Sequence, residues 1–399
     1  MSPPPPPPQL ADPQPGRLAR FAQRATALSE RYLPDAFLFA LLGTVLVLCA
    51  ALTVGGATPA AAVRSWGDGF WSLIPFTLQM AMIVISGTVV ATAPPVRRAI
   101  DRLACIPQGN RSATVFVAVA SMTSSWFNWG FGLLFSAVLA RAVARRVAGV
   151  DYRTLAATTL LGLGTVWAQG LSGSAALQVA TPGLLAPATR TIIAGRAAAG
   201  GELVPGGMIP LTHTIFLWQS FLAVAIEIVF VAAVIWFITP TGTAVRTAAD
   251  LGIDLREPEA DVPVQQARTP GEWLEHQPWP NLLVVVLAGG YLLQTLLSAK
   301  SLAASITLNT LNLFFLTLGF ALHRTPARLM RAFAAATPGI WGFLLQFPFY
   351  GGIAALITDT HLNAQIAALF TRIATPLTYP ALVAAYSAVL GVFVPSGGS

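Results

Sequence analysis

Residues 126–132 read Trp126-Phe127-Asn128-Trp129-Gly130-Phe131-Gly132 and stand inside an otherwise apolar run from Ala113 to Ala140. In lipid every backbone polar group must find a partner, so a polar, glycine-rich interruption at that depth needs a cavity or other protein beside it. Broken segments of this kind are how secondary transporters form substrate sites. Two further interruptions follow the same logic. One is Gly170-Leu171-Ser172-Gly173-Ser174, closing with Thr181-Pro182-Gly183, and the other is Val394-Pro395-Ser396-Gly397-Gly398-Ser399. Together they imply a carrier of a small solute.

Composition supports the membrane setting. The 399 residues are 55% hydrophobic and 10% charged, and the mean hydropathy is +0.67. A soluble domain carries about 25% charged residues, and apolar runs beyond about 18 residues span a bilayer. The expected fold class is therefore an all-α polytopic membrane protein with two repeat-related halves, re-entrant hairpins and broken helices. The net charge of +7 does not imply nucleic acid, because the arginines flank hydrophobic spans as the positive-inside rule requires. The two cysteines, Cys49 and Cys105, imply no disulfide framework, and Cys49 reads as a small core residue.

Four regions are expected: a proline-rich tail and basic interfacial helix over 1–32, a first membrane half over 33–238, a polar connection over 239–280, and a second half over 281–399. The tail opens with Pro3 to Pro8. Leu18, Phe21, Ala25, Leu28 and Tyr32 then recur at helical spacing, with Arg on other faces, as in a helix lying on the membrane surface. Apolar runs predict spans over Leu33–Val54, Phe70–Ala93, Ala113–Ala140, Thr154–Gly183 (broken), Ile209–Ile238, Asn281–Ala299, Ala303–His323, Phe333–Ile357 (interrupted) and Leu377–Val394.

Arginine counting orients the first half. Arg17, Arg20, Arg24 and Arg31 precede the first span, which puts the N-terminus in the cytoplasm. Arg97, Arg98, Arg102 and Arg111 precede the run holding Asn128, and Arg141, Arg145, Arg146 and Arg153 follow it. Both clusters belong inside only if that run is a re-entrant hairpin turning near Asn128. In the second half, Gly339 to Gly342 and Gln346 to Gly352 interrupt a span that reads as the counterpart hairpin. An inverted repeat would bring it in from outside, yet Arg324, Arg328 and Arg331 place the connection before it inside.

A small anion in a low-dielectric site needs donors and positive potential. Helix N-termini at breaks offer both, and Gly and Ser permit close backbone approach and add hydroxyls. The expected substrate-binding set is Asn128, Gly130, Ser172, Gly173, Ser174 and Thr181, with Ser396 and Gly397 opposite. The competing reading is helix–helix packing through small residues. Glu227, inside Ala225-Ile226-Glu227-Ile228-Val229, is an ion-coupling candidate because ionisable groups are rare in spans. Asn309 and Asn312 share a helix face and either line the interior for the coupling ion or bond another helix. His213 reads as a hydrogen-bonded or solvated interfacial residue, Asp68 as a turn residue before a span, and Trp66, Trp71, Trp273 and Trp279 as interfacial anchors. The sequence has no GxSxG elbow, HExxH pair or Walker loop, so neither an enzyme nor an ATP-driven pump is expected. No cofactor or metal is expected either.

These segments carry a resemblance. Trp66-Gly67-Asp68-Gly69-Phe70-Trp71, Asn128-Trp129-Gly130-Phe131-Gly132-Leu133, Ala140 to Val147, Ser172-Gly173-Ser174, Ala180-Thr181-Pro182-Gly183, Asn309-Thr310-Leu311-Asn312-Leu313, Gln346 to Gly352 and Val394-Pro395-Ser396-Gly397-Gly398 occur in this order from about Arg17 onward. In this the chain resembles the short-chain fatty acid transporter family, within the larger ion-transporter superfamily. The resemblance implies uptake of butyrate- or acetoacetate-like monocarboxylates across a bacterial inner membrane, by symport with H+ or Na+. By analogy with related folds it also implies a homodimer. In that family the Val-Pro-Ser-Gly-Gly turn runs on into further membrane segments, so a chain ending at Ser399 is expected to be truncated and inactive or impaired. A carrier of another small organic anion is the alternative.

Overall fold

The computed structural model describes residues 35–181, 208–255, 269–299 and 301–393, together with positions 28, 31–32, 184–185, 190–191 and 193. Among them all regular structure is helical, so the all-α class holds. The basic surface helix, apart from Leu28, Arg31 and Tyr32, lies outside the described residues.

The first five helices are α1 (Ala36–Thr53), α2 (Pro59–Phe70), α3 (Ile74–Thr92), α4 (Pro94–Leu103) and α5 (Asn110–Phe127). Local chemistry starts them. The Asp35 carboxylate accepts from the Phe37 N–H at 2.8 Å, and Thr58 caps α2 ahead of Pro59, which needs no N–H partner at the first helical position. Then come α6 (Trp129–Arg146), α7 (Tyr152–Thr158), α8 (Leu161–Gly164), a 3-10 turn at Val166–Gln169, and α9 (Ser174–Ala180). After a 3-10 turn at Leu211–His213, α10 occupies Trp218–Ile238. The second half comprises α11 (Pro270–Glu275), α12 (Trp279–Ser298), α13 (Leu302–Ser305), α14 (Leu308–His323), α15 (Pro326–Ala336), α16 (Trp341–Asp359), α17 (Leu362–Ile373) and α18 (Tyr379–Phe393).

Two unusually long helical runs organise the molecule. Pro59–Thr92 joins α2 to α3, Pro326–Asp359 joins α15 to α16, and each has 34 residues. Each run packs against the other half: α1 and α2 lie on α16, while α14 and α15 lie on α3. The ends are pinned by polar contacts. His323 at the end of α14 pairs its Nε2 with the Val89 carbonyl of α3 at 2.8 Å. At the opposite end the Gln365 amide of α17 donates to the Val54 carbonyl after α1 at 3.0 Å, and Ser65 donates to Asp359 at 2.6 Å. The core between the runs holds Ile83, Val89, Trp129, Leu177, Leu308, Phe315, Phe347 and Tyr350.

Helices α5 and α6 pack together as an antiparallel pair turning at Asn128. Their far ends meet again: Arg146 pairs with Asp101 at 3.3 Å, and the Asp151 N–H donates to the Asn110 side chain at 2.9 Å. Both arginine clusters thus sit at one end of the pair, as the charge count demanded. Helices α10 and α12 turn Phe230, Phe237, Leu287 and Leu297 outward, an arrangement fit for lipid contact.

Several sequence expectations are corrected. The interruption expected at Gln346–Gly352 is absent, because α16 runs through Pro348 without a break. A proline removes one backbone bond, which neighbouring helices compensate within a membrane; here Trp66 and Gly69 of α2 press on Gly352 and Gly351. Asp68 is a helical residue of α2 rather than a turn residue, and the half-buried Trp66 meets Phe70 at a tilt and Phe349 edge-on. Cys49 is exposed, since α1 turns its other faces to α16. The span beginning at Ile209 becomes a 3-10 turn and a helix starting only at Trp218, because Pro210 cannot lie inside a helix without breaking it.

Candidate functional site

The two interior breaks meet. Asn128 is extended between α5 and α6, and its Oδ1 accepts from the Phe131 N–H at 2.9 Å, the geometry of an N-cap. Across from it the chain unwinds between the turn at Val166–Gln169 and α9. The Trp129 N–H donates to Ser172 Oγ at 2.9 Å, and the Leu171 N–H donates to the Trp126 carbonyl at 2.7 Å. Gly173 precedes α9 and donates its N–H to Gly170 O at 3.0 Å. Asn128, Ser172, Ser174 and Thr181 are all buried.

Close backbone contact puts this turn against the middle of α3. A Cβ on Gly130 would lie 2.7 Å from Val84 Cα and 2.8 Å from the Ile83 carbonyl, and a Cβ on Gly87 would lie 2.8 Å from Asn128 Oδ1. No side chain fits at either position. Thr181, at the far end of α9, accepts from the Leu308 N–H at 3.0 Å and so ties the break to the start of α14 in the second half.

Two of the backbone N–H groups at the turn are already used. The backbone N–H groups of Trp129 and Phe131 are engaged within the fold. Because the cap fixes Asn128 Oδ1 toward α6, Nδ2 points elsewhere, and it has no partner. The Trp129 Nε1, Ser174 Oγ and Tyr350 hydroxyl are likewise buried without partners. Buried polar groups are almost always satisfied, and four unmet groups are carried by the two breaks and α16. These four groups are neutral, so they offer hydrogen bonds but no positive charge.

The other expected residues have partners of their own or lie apart from the two breaks where described. Gln169, just before the break, donates to the Glu227 carboxylate of α10 at 3.0 Å. Asn309 and Asn312 both engage Gln79 of α3: Gln79 Nε2 donates to Asn309 Oδ1 at 2.5 Å, and Asn312 Nδ2 donates to the Gln79 carbonyl at 2.9 Å. His213 lies exposed in its 3-10 turn. Ser396 and Gly397 lie outside the described residues. Among the described residues no three His, Cys, Asp or Glu side chains converge as a metal would need.

Sequence reasoning missed three residues. Trp129 and Tyr350 stood within quoted stretches but were not singled out for their own donors. Asp151 is the third: fully buried, it accepts from the Thr154 N–H at 2.9 Å, the Arg246 N–H at 2.9 Å and Arg153 at 3.1 Å. Burial would raise its pKa, but the Thr154 and Arg246 backbone N–H groups, with the Thr154 and Arg153 side chains, outweigh burial and hold it below the ordinary carboxylate value. The signal was an Asp three residues before Thr154 at a span start, a capping pattern.

A family model described as Short chain fatty acid transporter matches residues 17–399. Two curated proteins, each named "Putative short-chain fatty acid transporter", are similar over 96% of this chain. One, from Escherichia coli (strain K12), is 34% identical over 82% of its own length. The other, from Haemophilus influenzae (strain ATCC 51907 / DSM 11121 / KW20 / Rd), is 31% identical over 82% of its length. No solved structure matches.

Proposed function

The chain belongs to the short-chain fatty acid transporter family, and from that premise we propose that it carries butyrate- or acetoacetate-like monocarboxylates by alternating access, coupled to a proton or sodium gradient. It is a multi-pass membrane protein; we place it in a bacterial inner membrane with its N-terminus cytoplasmic. One observation carries the reading: the Asn128 turn and the Ser172 break meet at mid-depth of α3 and leave Asn128 Nδ2 buried and unpartnered. A carboxylate is the complement of such donors.

We read the two halves as an inverted repeat, which would suit alternating access. On this reading α1 to α5 correspond to α14 to α18, not to the order inferred from the apparent break in α16. The pairs α2–α3 and α15–α16 are runs of equal length, each opening with Thr-Pro at Thr58 and Thr325, and each packed on the other half. Helix α18 is then the counterpart of α5. The sequence expectation for Ser396 and Gly397 lies outside the described residues. On this reading Arg324 precedes the counterpart of α2 and Arg328 and Arg331 lie in its first turns, so all three flank a helix start rather than a hairpin. Asn128, Gly130, Ser172, Gly173, Ser174 and Thr181 line the near wall, and Glu227, linked to the break through Gln169, is the proton-coupling group. A repeat that opens from either face in turn moves substrate without a continuous pore.

The test is uptake of labelled butyrate by purified protein in proteoliposomes under an imposed pH or sodium gradient. Saturable accumulation is expected, with competition by other monocarboxylates and none by dicarboxylates. Stronger competition by dicarboxylates would assign the site to another class of anion.

A further inference from the structure

Trp129 is the residue immediately after the hairpin turn, and its backbone is held by Ser172 while its ring projects into the core. Only 7% of it is exposed, and its indole N–H has no partner. A buried tryptophan ordinarily finds one. The ring meets Phe343 of α16 edge-on, with centroids 5.8 Å apart and planes at 68°. Phe343 meets Phe347 at 5.7 Å, and Phe347 in turn stacks on Phe76 of α3 at 5.7 Å. One end of this aromatic series therefore carries an unmet donor, on the residue next in sequence to Asn128, whose Nδ2 is also unmet, and the phenyl rings that follow are apolar. A short fatty acid has the same polarity profile: one charged end and a saturated tail. The positive edge of the indole suits the carboxylate, while phenyl rings suit methylenes.

We infer that Trp129 and Phe343 determine which acids are accepted: the Trp129 indole N–H joins Asn128 as a donor to the carboxylate, and Phe343 stops the alkyl tail. Because Phe343 stands directly against the donor-bearing ring, a long tail has no surface to extend along; removing it opens the way toward Phe347. This rests on the hairpin turn being the monocarboxylate site. Trp129 is buried and Phe343 half-buried, so substrate reaches the indole N–H only when the turn and α16 separate, which ties selection to the conformational cycle.

Competition against labelled butyrate uptake by acetate, butyrate, hexanoate and octanoate, in proteoliposomes of the full chain, decides the matter. Each buried methylene changes affinity about four-fold, so two change it by roughly ten-fold or more. Phe343→Ala should therefore favour hexanoate over butyrate by about ten-fold relative to wild type, with Phe343→Leu shifting the same way by less. Trp129→Phe keeps a ring and loses the donor; it should weaken all four acids by a similar factor without reordering them. Size-exclusion profile and thermal unfolding midpoint report that each variant is folded, and Phe343→Leu carries the test if Phe343→Ala is not. An unchanged hexanoate-to-butyrate ratio in the folded Phe343 variants, or a reordered series in Trp129→Phe, overturns the inference. Wild-type protein without saturable butyrate uptake overturns the proposed function itself, and the inference with it.

Discussion

The Trp129 backbone N–H and the Ser172 hydroxyl, 43 residues apart, are joined at 2.9 Å where two broken segments meet. The bond replaces an intrahelical partner that no first-turn N–H can have. Ser172→Ala should leave that buried N–H unmet, a cost of about 1–3 kcal/mol. Butyrate uptake should fall by about ten-fold or more, because the turn and the break would no longer be held in register, while the protein still purifies as a folded species. Uptake at the wild-type rate would show that the two breaks are joined for packing alone.

Gly87 and Gly130 allow the turn to lie on α3. A methyl group on Gly87 would press on the Phe131 backbone nitrogen and lie 2.8 Å from Asn128 Oδ1, and one on Gly130 would lie 2.7 Å from Val84 Cα; backbone cannot move aside as a flexible side chain would. Gly130→Ala should destabilise the protein by about 1–3 kcal/mol and displace Asn128, lowering transport more than Ser172→Ala does. Gly289→Ala in α12, where a Cβ meets open space, should leave both stability and transport unchanged. Thermal unfolding and uptake measured on the same preparations would separate the two.

The breaks were legible in the sequence for a simple reason. Polar and glycine residues such as Asn128, Gly130, Ser172 and Gly173 are conspicuous inside apolar runs, and their cost in lipid makes them structural statements. The antiparallel course of α5 and α6 was legible because Arg97 to Arg111 and Arg141 to Arg153 could not otherwise share one side. What was not legible depended on contacts distant in sequence. Pro348 and its neighbouring glycines have the composition of a break, yet Trp66 and Gly69 pack onto them and α16 continues. Asn309 and Asn312 fitted an interior face or a helix contact equally well, and only the structure places Gln79 beside both. The Trp129 and Phe131 backbone N–H groups are consumed by Ser172 and Asn128, and a sequence does not show which backbone N–H groups the fold itself consumes.

Asp151 joins three pieces of chain at the arginine-rich end: the start of α5 through Asn110, its own helix α7, and the polar connection at Arg246. Its folded pKa lies below the ordinary value of 3.8. The stabilisation is therefore present above that ordinary range and is lost as pH falls through the depressed folded value. Asp151→Asn keeps the size and removes the charge. It should lower stability by about 2 kcal/mol at neutral pH, and the wild-type advantage should vanish on acidification below about pH 4. Unfolding midpoints of both proteins across that range check this; parallel curves would mean that the charge of Asp151 contributes nothing.

Glu227 is the sharpest test of coupling. It is the acidic residue inside α10, and the Gln169 amide reaches its carboxylate at 3.0 Å from the turn that leads into the Ser172 break. A carboxylate accepts that bond in either protonation state, but the charged form binds it more strongly, so proton uptake at Glu227 would loosen the link to the break. Glu227→Gln fixes the neutral condition and keeps an oxygen acceptor. The variant should lose accumulation driven by a pH gradient while retaining exchange of labelled for unlabelled butyrate, which needs no net proton movement. Glu227→Asp, too short to keep the contact in place, should impair both. If Glu227→Gln accumulates butyrate under a pH gradient as wild type does, Glu227 is only a packing partner for Gln169. A sodium gradient that drives both proteins equally would then point to a different coupling ion.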